Sequence, residues 1–165
     1  MIILGIDPGL ALMGYGVIET STGDKRRLLT CGVLETKAHT PFPDRLRTIY
    51  QGVDQLMDFY KPDDVAFEEL FFSKNVTTGI QVGGARGVAL VAAARWTDNL
   101  YEYTPMQIKQ AVTGSGSADK RQIQNMVKLL LRLDEYPKPD DAADAVAAAL
   151  THAANLRVKE MYHIK

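Results

Sequence analysis

The alternation of apolar and polar residues divides the chain into a first part rich in strand-favouring residues and a longer part with helical periodicity. Three early stretches carry β-branched and other apolar residues, and they are IILGID, GYGVIET and LLTCGVLET. The charged, turn-forming segment STGDKRR separates the second stretch from the third. Three consecutive strands connected in this way predict an antiparallel meander.

Beyond PFPD, apolar residues recur every three or four positions from Leu46 to Tyr60, which predicts an amphipathic helix that ends at Pro62. The segments DVAFEE and NLYEYTP predict two further strands. Helical spacing returns in VTTGIQVGGARGVALVAAARW, MQIKQAV, KRQIQNMVKLLLRL and PDDAADAVAAALTHA. This order predicts an α/β fold: a mixed five-stranded sheet, first an antiparallel meander and then parallel strands, with helices on both faces. We expect a single domain over residues 1–156 and a C-terminal tail over residues 157–165.

Composition narrows the class of protein. The chain has 165 residues, 46% of them hydrophobic, which is enough for one substantial core. Its 19 basic and 20 acidic residues nearly cancel, so any polyanion must be held by a local basic patch. Cys31 is the single cysteine, which excludes an internal disulfide and suits a reducing cytoplasm. The sequence predicts neither a signal peptide nor a membrane span, so we expect a soluble, cytoplasmic protein.

Three aspartates open the last predicted helix. Asp140 or Asp141 can cap the helix or interact with the positive end of its macrodipole. Asp144 lies three positions after Asp141, so both carboxylates project from one helix face, and that face continues through Ala147 and Ala148 toward a core. Two like charges on such a face repel each other unless a cation lies between them. This segment alone leaves a capping role and a metal site equally open.

Two more carboxylates lie near strand ends. Asp7 ends the first predicted strand and is followed by Pro8 and Gly9, at the position where open α/β sheets bind ligands. A plain turn is the alternative for this segment. In VAFEEL, the period of two favours Glu68 as the carboxylate on a buried strand face, and Glu69 remains the alternative.

Four carboxylates would converge if the two strands are neighbours and the last helix packs across their ends. Oxygen ligands suit Mg²⁺ or Mn²⁺, and two such ions would neutralise most of the charge. Two metal ions held in this way are typical of phosphoryl transfer by in-line attack of water. The histidines at positions 39, 152 and 163 fall in a loop, a helix interior and a tail, where we expect them to be structural or solvated.

Five motifs follow one another along the chain, and they are GIDPGLALMGYGVI, FEELFFSKN, ARGVALVAAA, GSGSADK and DDAADAVAAALTHA. Over nearly the whole chain, their sequences, order and spacing resemble those of the bacterial crossover-junction endonuclease family RuvC, the Holliday junction resolvases. The resemblance implies an RNase H-like fold and a homodimer whose two metal-dependent sites nick two strands symmetrically in recombination and repair. It also implies that the acidic ligands are Asp7, Glu68, Asp141 and Asp144, which selects Glu68 over Glu69.

The resemblance assigns further residues to DNA. Phe71 corresponds to an aromatic residue that stacks on an unpaired base, although a core phenylalanine is the alternative. Lys109 and Lys120 correspond to basic residues near the scissile phosphate, whereas an arbitrary lysine is more often solvated. Secondary candidates for phosphate contacts are Lys74, Asn75, Arg86 and Arg121.

The glycines at 79, 83, 84 and 87 allow another helix to approach closely, so we expect this helix to pair with its copy across a two-fold axis. Packing on its own sheet is the alternative. The family also implies a partner, the RuvA–RuvB branch-migration complex. Two other functions remain to be tested: a nucleotide-dependent phosphotransferase fragment, suggested by GIDPG, and a junction-binding protein without catalysis.

Overall fold

A five-stranded mixed sheet forms the centre of the molecule in a computed structural model that describes residues 1–21, 25–70 and 76–165. The strands are β1 (Ile2–Asp7), β2 (Leu12–Ser21), β3 (Lys25–Glu35), β4 (Asp64–Glu68) and β5 (Leu100–Tyr103). Their order across the sheet is β3-β2-β1-β4-β5. The first three strands pair antiparallel, whereas β4 is parallel to both β1 and β5. The predicted meander followed by parallel strands is therefore confirmed.

Five α-helices accompany the sheet in the described ranges, and they are α1 (Phe42–Tyr60), α2 (Val76–Ala94), α3 (Pro105–Thr113), α4 (Lys120–Leu130) and α5 (Asp140–Ala154). A 3₁₀ segment, interrupted by the non-helical backbone of Val158, follows over Leu156–Tyr162. No helix in the described part of the chain is both long and apolar enough to cross a membrane.

Two hydrophobic cores lie on opposite faces of the sheet, which confirms the predicted layers. One face carries Leu4, Ile6, Val65 and Phe67 against buried residues of α1 and α2. The other face carries Ile3, Ala66, Tyr101 and Tyr103 against α3, α4 and α5. Period two along each strand therefore sends alternate residues into different cores, as expected for a sheet covered on both sides.

Several element boundaries differ from the sequence prediction, among them the starts of β3 and α1. Strand β3 begins at Lys25, so its charged start, assigned above to a turn, is paired with β2. Because β3 is an edge strand, the side chains of Lys25 and Arg27 remain exposed while its backbone pairs with β2. Helix α1 begins at Phe42, before the first periodic residue Leu46, with a proline in its first turn, where a missing N–H is tolerated.

Candidate active site

Asp7 and Glu68 end two neighbouring strands. Strands β1 and β4 are parallel, with Ile6 paired to Phe67, so the next residue of each strand carries a carboxylate at the same edge of the sheet. Both residues are partly buried. Glu68 lies two positions after Ala66 and therefore on the same face of β4, and Ala66 belongs to the core beneath α5. The face of the sheet that supports α5 is therefore also the face that carries Glu68.

Glycines let α5 approach this edge closely. An ideal Cβ on Gly14 would lie 2.0 Å from the backbone oxygen of Asp141 and 3.2 Å from the Cβ of Asp7. A Cβ on Gly5 would lie 2.0 Å from the backbone oxygen of Ala145, one turn farther along α5. Only a residue without a side chain leaves room for this approach. The first turn of α5 consequently lies directly beside Asp7.

The aspartates at the start of α5 do not cap it. Pro139 is the N-cap residue and offers no side chain that could accept a hydrogen bond. Asp140 and Asp141 both lie in the first turn, where the macrodipole still favours them. The capping alternative is therefore wrong for this helix. Asp140 instead accepts a hydrogen bond from Gln124 Nε2 at 2.9 Å and forms an ion pair with Lys120.

Local helix signals place the two lysines. A capping box of Thr104 and Gln107 starts α3 directly after β5, and Lys109 follows in the next turn. A second capping box, of Asp119 and Gln122, starts α4 and makes Lys120 its first residue. Lys120 Nζ lies 3.0 Å from Asp140 Oδ2 and 3.7 Å from Asp144 Oδ2.

A cavity of about 200 Å³ brings these groups together. Its charged lining comes from Glu68, Asp144, Lys109 and Lys120. Its apolar walls are Pro105, Ile108 and Ile123. Carboxylates and ammonium groups therefore share a pocket in which the apolar walls reduce hydration.

Three carboxylates in this cluster, those of Asp7, Glu68 and Asp144, have raised pKa values. Burial, with the nearby charges of Glu68, Asp144 and Asp141, raises the pKa of Asp7 to about 8. Burial and the charge of Asp144 raise the pKa of Glu68 to about 7. Burial also raises the pKa of Asp144. Lys120 opposes all three shifts, but its single positive charge does not cancel them.

The donor set fits a hard divalent cation. Asp7, Glu68, Asp141 and Asp144 offer only carboxylate oxygens, which Mg²⁺ and Mn²⁺ prefer, and a bound cation would relieve the repulsion that raises the pKa values. As the side chains stand, the described ranges contain no three Asp, Glu, His or Cys side chains arranged to hold one ion. Ligation therefore requires these carboxylates to turn toward a common centre.

The other predicted DNA contacts either do not line this cavity or lie outside the described residues. Arg86 on α2 pairs with Glu102 at 2.5 Å, and its side chain is only 21% exposed. Arg121 is exposed beside Lys120 at the start of α4. Phe71, Lys74 and Asn75 lie outside the described residues.

Sequence reasoning did not identify two polar residues of this site. The sequence predicts for Asp140 only a cap or an interaction with the helix macrodipole, and it predicts no role for Gln124. Gln124 lies sixteen residues before Asp140, so only the packing of α4 beside α5 brings them together. The sequence does carry one signal for Asp140. The start of α5 has three aspartates, and Asp140 is the one left over when Asp141 and Asp144 are assigned to a metal site.

Comparison with known proteins agrees with the resemblance that the sequence motifs indicate. The family described as "Crossover junction endodeoxyribonuclease RuvC" matches residues 3–152. The protein of that name from Alkaliphilus oremlandii is 52% identical, with 100% of both chains covered. The one from Brevibacillus brevis is 54% identical over 93% of this chain and 92% of its own.

Solved structures agree as well. The structure described as "T. thermophilus RuvC in complex with Holliday junction substrate" matches with a TM-score of 0.90 and 40% identity, covering 95% of each chain. The yeast mitochondrial Holliday junction resolvase shares the fold, with a TM-score of 0.70 at 15% identity over 98% of this chain and 82% of its own. These likenesses confirm the expected RNase H-like fold. By sequence and by fold, the chain belongs to the crossover junction endodeoxyribonuclease RuvC family.

Proposed function

We propose that this protein resolves four-way DNA junctions by metal-dependent hydrolysis of two phosphodiester bonds, leaving 5′-phosphate and 3′-hydroxyl ends. Membership of a nuclease family supports the reaction class. The observation that carries the proposal for this chain is the carboxylate cluster at the ends of β1 and β4 and the start of α5, in which Asp7 and Glu68 have raised pKa values. A cluster of repelling carboxylates beside basic residues suits catalysis at a phosphate with bound cations.

In this mechanism Asp7, Glu68, Asp141 and Asp144 would hold two Mg²⁺ or Mn²⁺ ions. Bound ions would supply a lowered pKa for an attacking water and charge stabilisation for the leaving oxygen. Lys120 and Lys109 line the same cavity as Glu68 and Asp144, so their ammonium groups can bind the scissile phosphate and stabilise its developing charge.

DNA binding rests on a local basic rim, since the whole chain carries a net charge of −1. We assign phosphate contacts to Arg121, Lys74, Asn75 and Arg86, and base stacking to Phe71. The exposure of Arg121 next to Lys120 supports the rim at the start of α4. Arg86 would have to exchange Glu102 for a phosphate to take part. Binding carried by phosphate contacts weakens steeply as salt increases.

Two active sites are needed for paired nicks, so we propose a homodimer formed through α2. Ile80 and Val91 on α2 are 69% and 60% exposed. They lie eleven residues apart, near three full turns, and therefore share a helix face with Gly87. A Cβ on Gly87 would meet nothing within 4 Å in its own chain. An exposed apolar stripe with a small residue at its middle supports close pairing with a second copy.

We further propose that the dimer acts in the cytoplasm, where bacterial DNA is found, and cooperates with the RuvA–RuvB branch-migration complex. Both statements rest on family membership.

The proposal is tested with a labelled four-way junction and a linear duplex of the same sequence, each with and without Mg²⁺ or Mn²⁺. We expect junction binding in EDTA, paired nicks on the junction after metal is added, and an intact duplex. Asp7→Asn should reduce cleavage by at least about a hundredfold and preserve junction binding, because it removes a ligand but leaves the basic rim. Junction binding by the wild type without any cleavage would instead support the non-catalytic alternative, and failure to bind either DNA would overturn the proposal.

A further inference from the structure

We infer that Asp140 is a positioning residue that, together with Gln124, holds the ammonium group of Lys120 at the rim of the catalytic cavity. The inference rests on the proposed function, since it concerns the same site, and it adds a residue outside the four carboxylates of the ligand set.

The two oxygens of Asp140 have separate partners. Oδ2 lies 3.0 Å from Lys120 Nζ, and Oδ1 accepts a hydrogen bond from Gln124 Nε2 at 2.9 Å. Lys120 and Gln124 lie four residues apart on α4, so they project from one side of that helix. Gln124 therefore fixes the orientation in which the Asp140 carboxylate meets Lys120.

Asp140 is suited to this task because it does not compete for the cation. Lys120 is shared with Asp144, at a longer distance of 3.7 Å. A divalent cation on Asp144 would occupy that carboxylate and repel the nearby ammonium group. Asp140 projects toward α4, with 57% of its side chain exposed. It remains available to Lys120 when Asp144 binds a cation.

Lys120 without this partner would sample many rotamers, because its side chain is 52% exposed and has four rotatable bonds. Asp140 thus reduces the freedom that Lys120 must lose when it contacts a phosphate. We expect a larger effect on the rate of cleavage than on the affinity for DNA, because Lys120 is one of several basic residues assigned to the phosphates but lies at the cavity where cleavage occurs.

A double-mutant cycle measures this coupling. Asp140→Asn keeps the size and the acceptor for Gln124 but removes the charge, and we expect the single-turnover rate of junction cleavage to fall about fivefold, the upper range for a half-exposed ion pair. The junction Kd in EDTA should stay within about twofold, since the basic rim is unchanged. In a Lys120→Ala background, Asp140→Asn should have no further effect on the rate. Gln124→Ala should lower the cleavage rate by a smaller factor, because Gln124 acts on Lys120 only through Asp140.

A second readout does not depend on cleavage. Acylation of lysine amines, measured by mass spectrometry, should modify Lys120 about two- to fivefold faster in Asp140→Asn than in the wild type, because the ion pair shields the amine. Lys128 on the same helix serves as the internal control and should not change.

The outcomes separate this inference from the proposed function. If the wild type does not cut junctions, the function fails, while the labelling of Lys120 still tests the positioning. If Asp140→Asn leaves both the rate and the labelling unchanged, or lowers the rate equally when Lys120 is absent, the positioning role is overturned. A thermal unfolding midpoint close to that of the wild type verifies that the variant is folded.

Discussion

Individual residues acquire their chemistry here from neighbours that are distant in sequence. The strand pattern predicts Asp7 at a strand end but leaves Glu68 and Glu69 as alternatives. In the structure Glu68 lines the cavity, whereas Glu69 does not belong to its lining. The raised pKa values of Asp7 and Glu68 depend on burial and on mutual repulsion, which no local pattern reveals.

His152 shows the same dependence in a structural role. It is fully buried, as befits the structural role expected above, between two partners: its Nε2 lies 2.7 Å from Asp64 Oδ2, and its Nδ1 lies 2.9 Å from the Tyr103 hydroxyl. Lys159 Nζ donates to both oxygens of Asp64, at 2.8 and 3.1 Å. Asp64 thereby connects β4 to α5 and to the 3₁₀ segment.

Asp64→Asn tests this network. The variant leaves Lys159 without its anionic partner and should lower the free energy of unfolding by about 2 kcal/mol at pH 7. The hydrogen bonds from His152 and Lys159 outweigh burial and lower the pKa of Asp64 below 3.8. Because the folded-state pKa is depressed, this stabilisation is present above about pH 4 and is lost as pH falls through the folded value. Urea unfolding of both proteins at several pH values should show the difference narrowing below about pH 4; a constant difference would contradict the ionic role.

At the scale of elements, the close approach of α5 to β1 and β2 places the site. Sequence periodicity predicts each element, because amphipathic spacing and strand alternation are local. It does not show that Gly5, Gly14 and Gly16 all face the last helix, since that depends on the order of strands and on which face α5 covers. The alanine-rich sequence of α5 complements these glycines, with small side chains on both surfaces of the contact.

Gly14→Ala should disturb this contact and the site together. Its added methyl group would overlap the backbone oxygen of Asp141, so the helix must move or the strand must bend. We expect a loss of stability of about 2–3 kcal/mol, as for overpacking of a tight core, and a weaker response to Mg²⁺. Gly5→Ala is the matched comparison, because it overlaps α5 near Ala145, away from the first turn. It should lower stability similarly but affect the metal dependence of cleavage less. Equal effects of both variants on metal dependence would contradict the account.

At the scale of the whole molecule, paired nicks require two sites in a fixed arrangement. The sequence predicts the mixed sheet and its two helical layers, which the structure confirms. Dimerisation stays a prediction, based on the glycines of α2 and now supported by the exposed apolar residues Ile80 and Val91 on that helix.

Val91→Glu should convert the dimer to a monomer, because a charge placed in an apolar contact must be desolvated without a partner. Sedimentation velocity at about 10 µM, a concentration at which a dimer with a micromolar Kd is mostly assembled, should show the change. Junction cleavage by the variant should yield single rather than paired nicks. Met161→Glu is the matched control, since Met161 is also exposed, at 78%, but lies outside α2. A wild-type protein that sediments as a monomer would refute the dimer.

Metal binding by the four carboxylates is tested most directly by anomalous diffraction from crystals of the protein soaked in Mn²⁺, in parallel with crystals of Asp7→Asn. We expect two anomalous peaks per chain, each within about 2.5 Å of carboxylate oxygens drawn from Asp7, Glu68, Asp141 and Asp144, and the loss of at least one peak in the variant. Peaks located elsewhere, or no peaks under conditions in which the same protein cuts junctions, would contradict the assignment of these four carboxylates as the metal-binding centre.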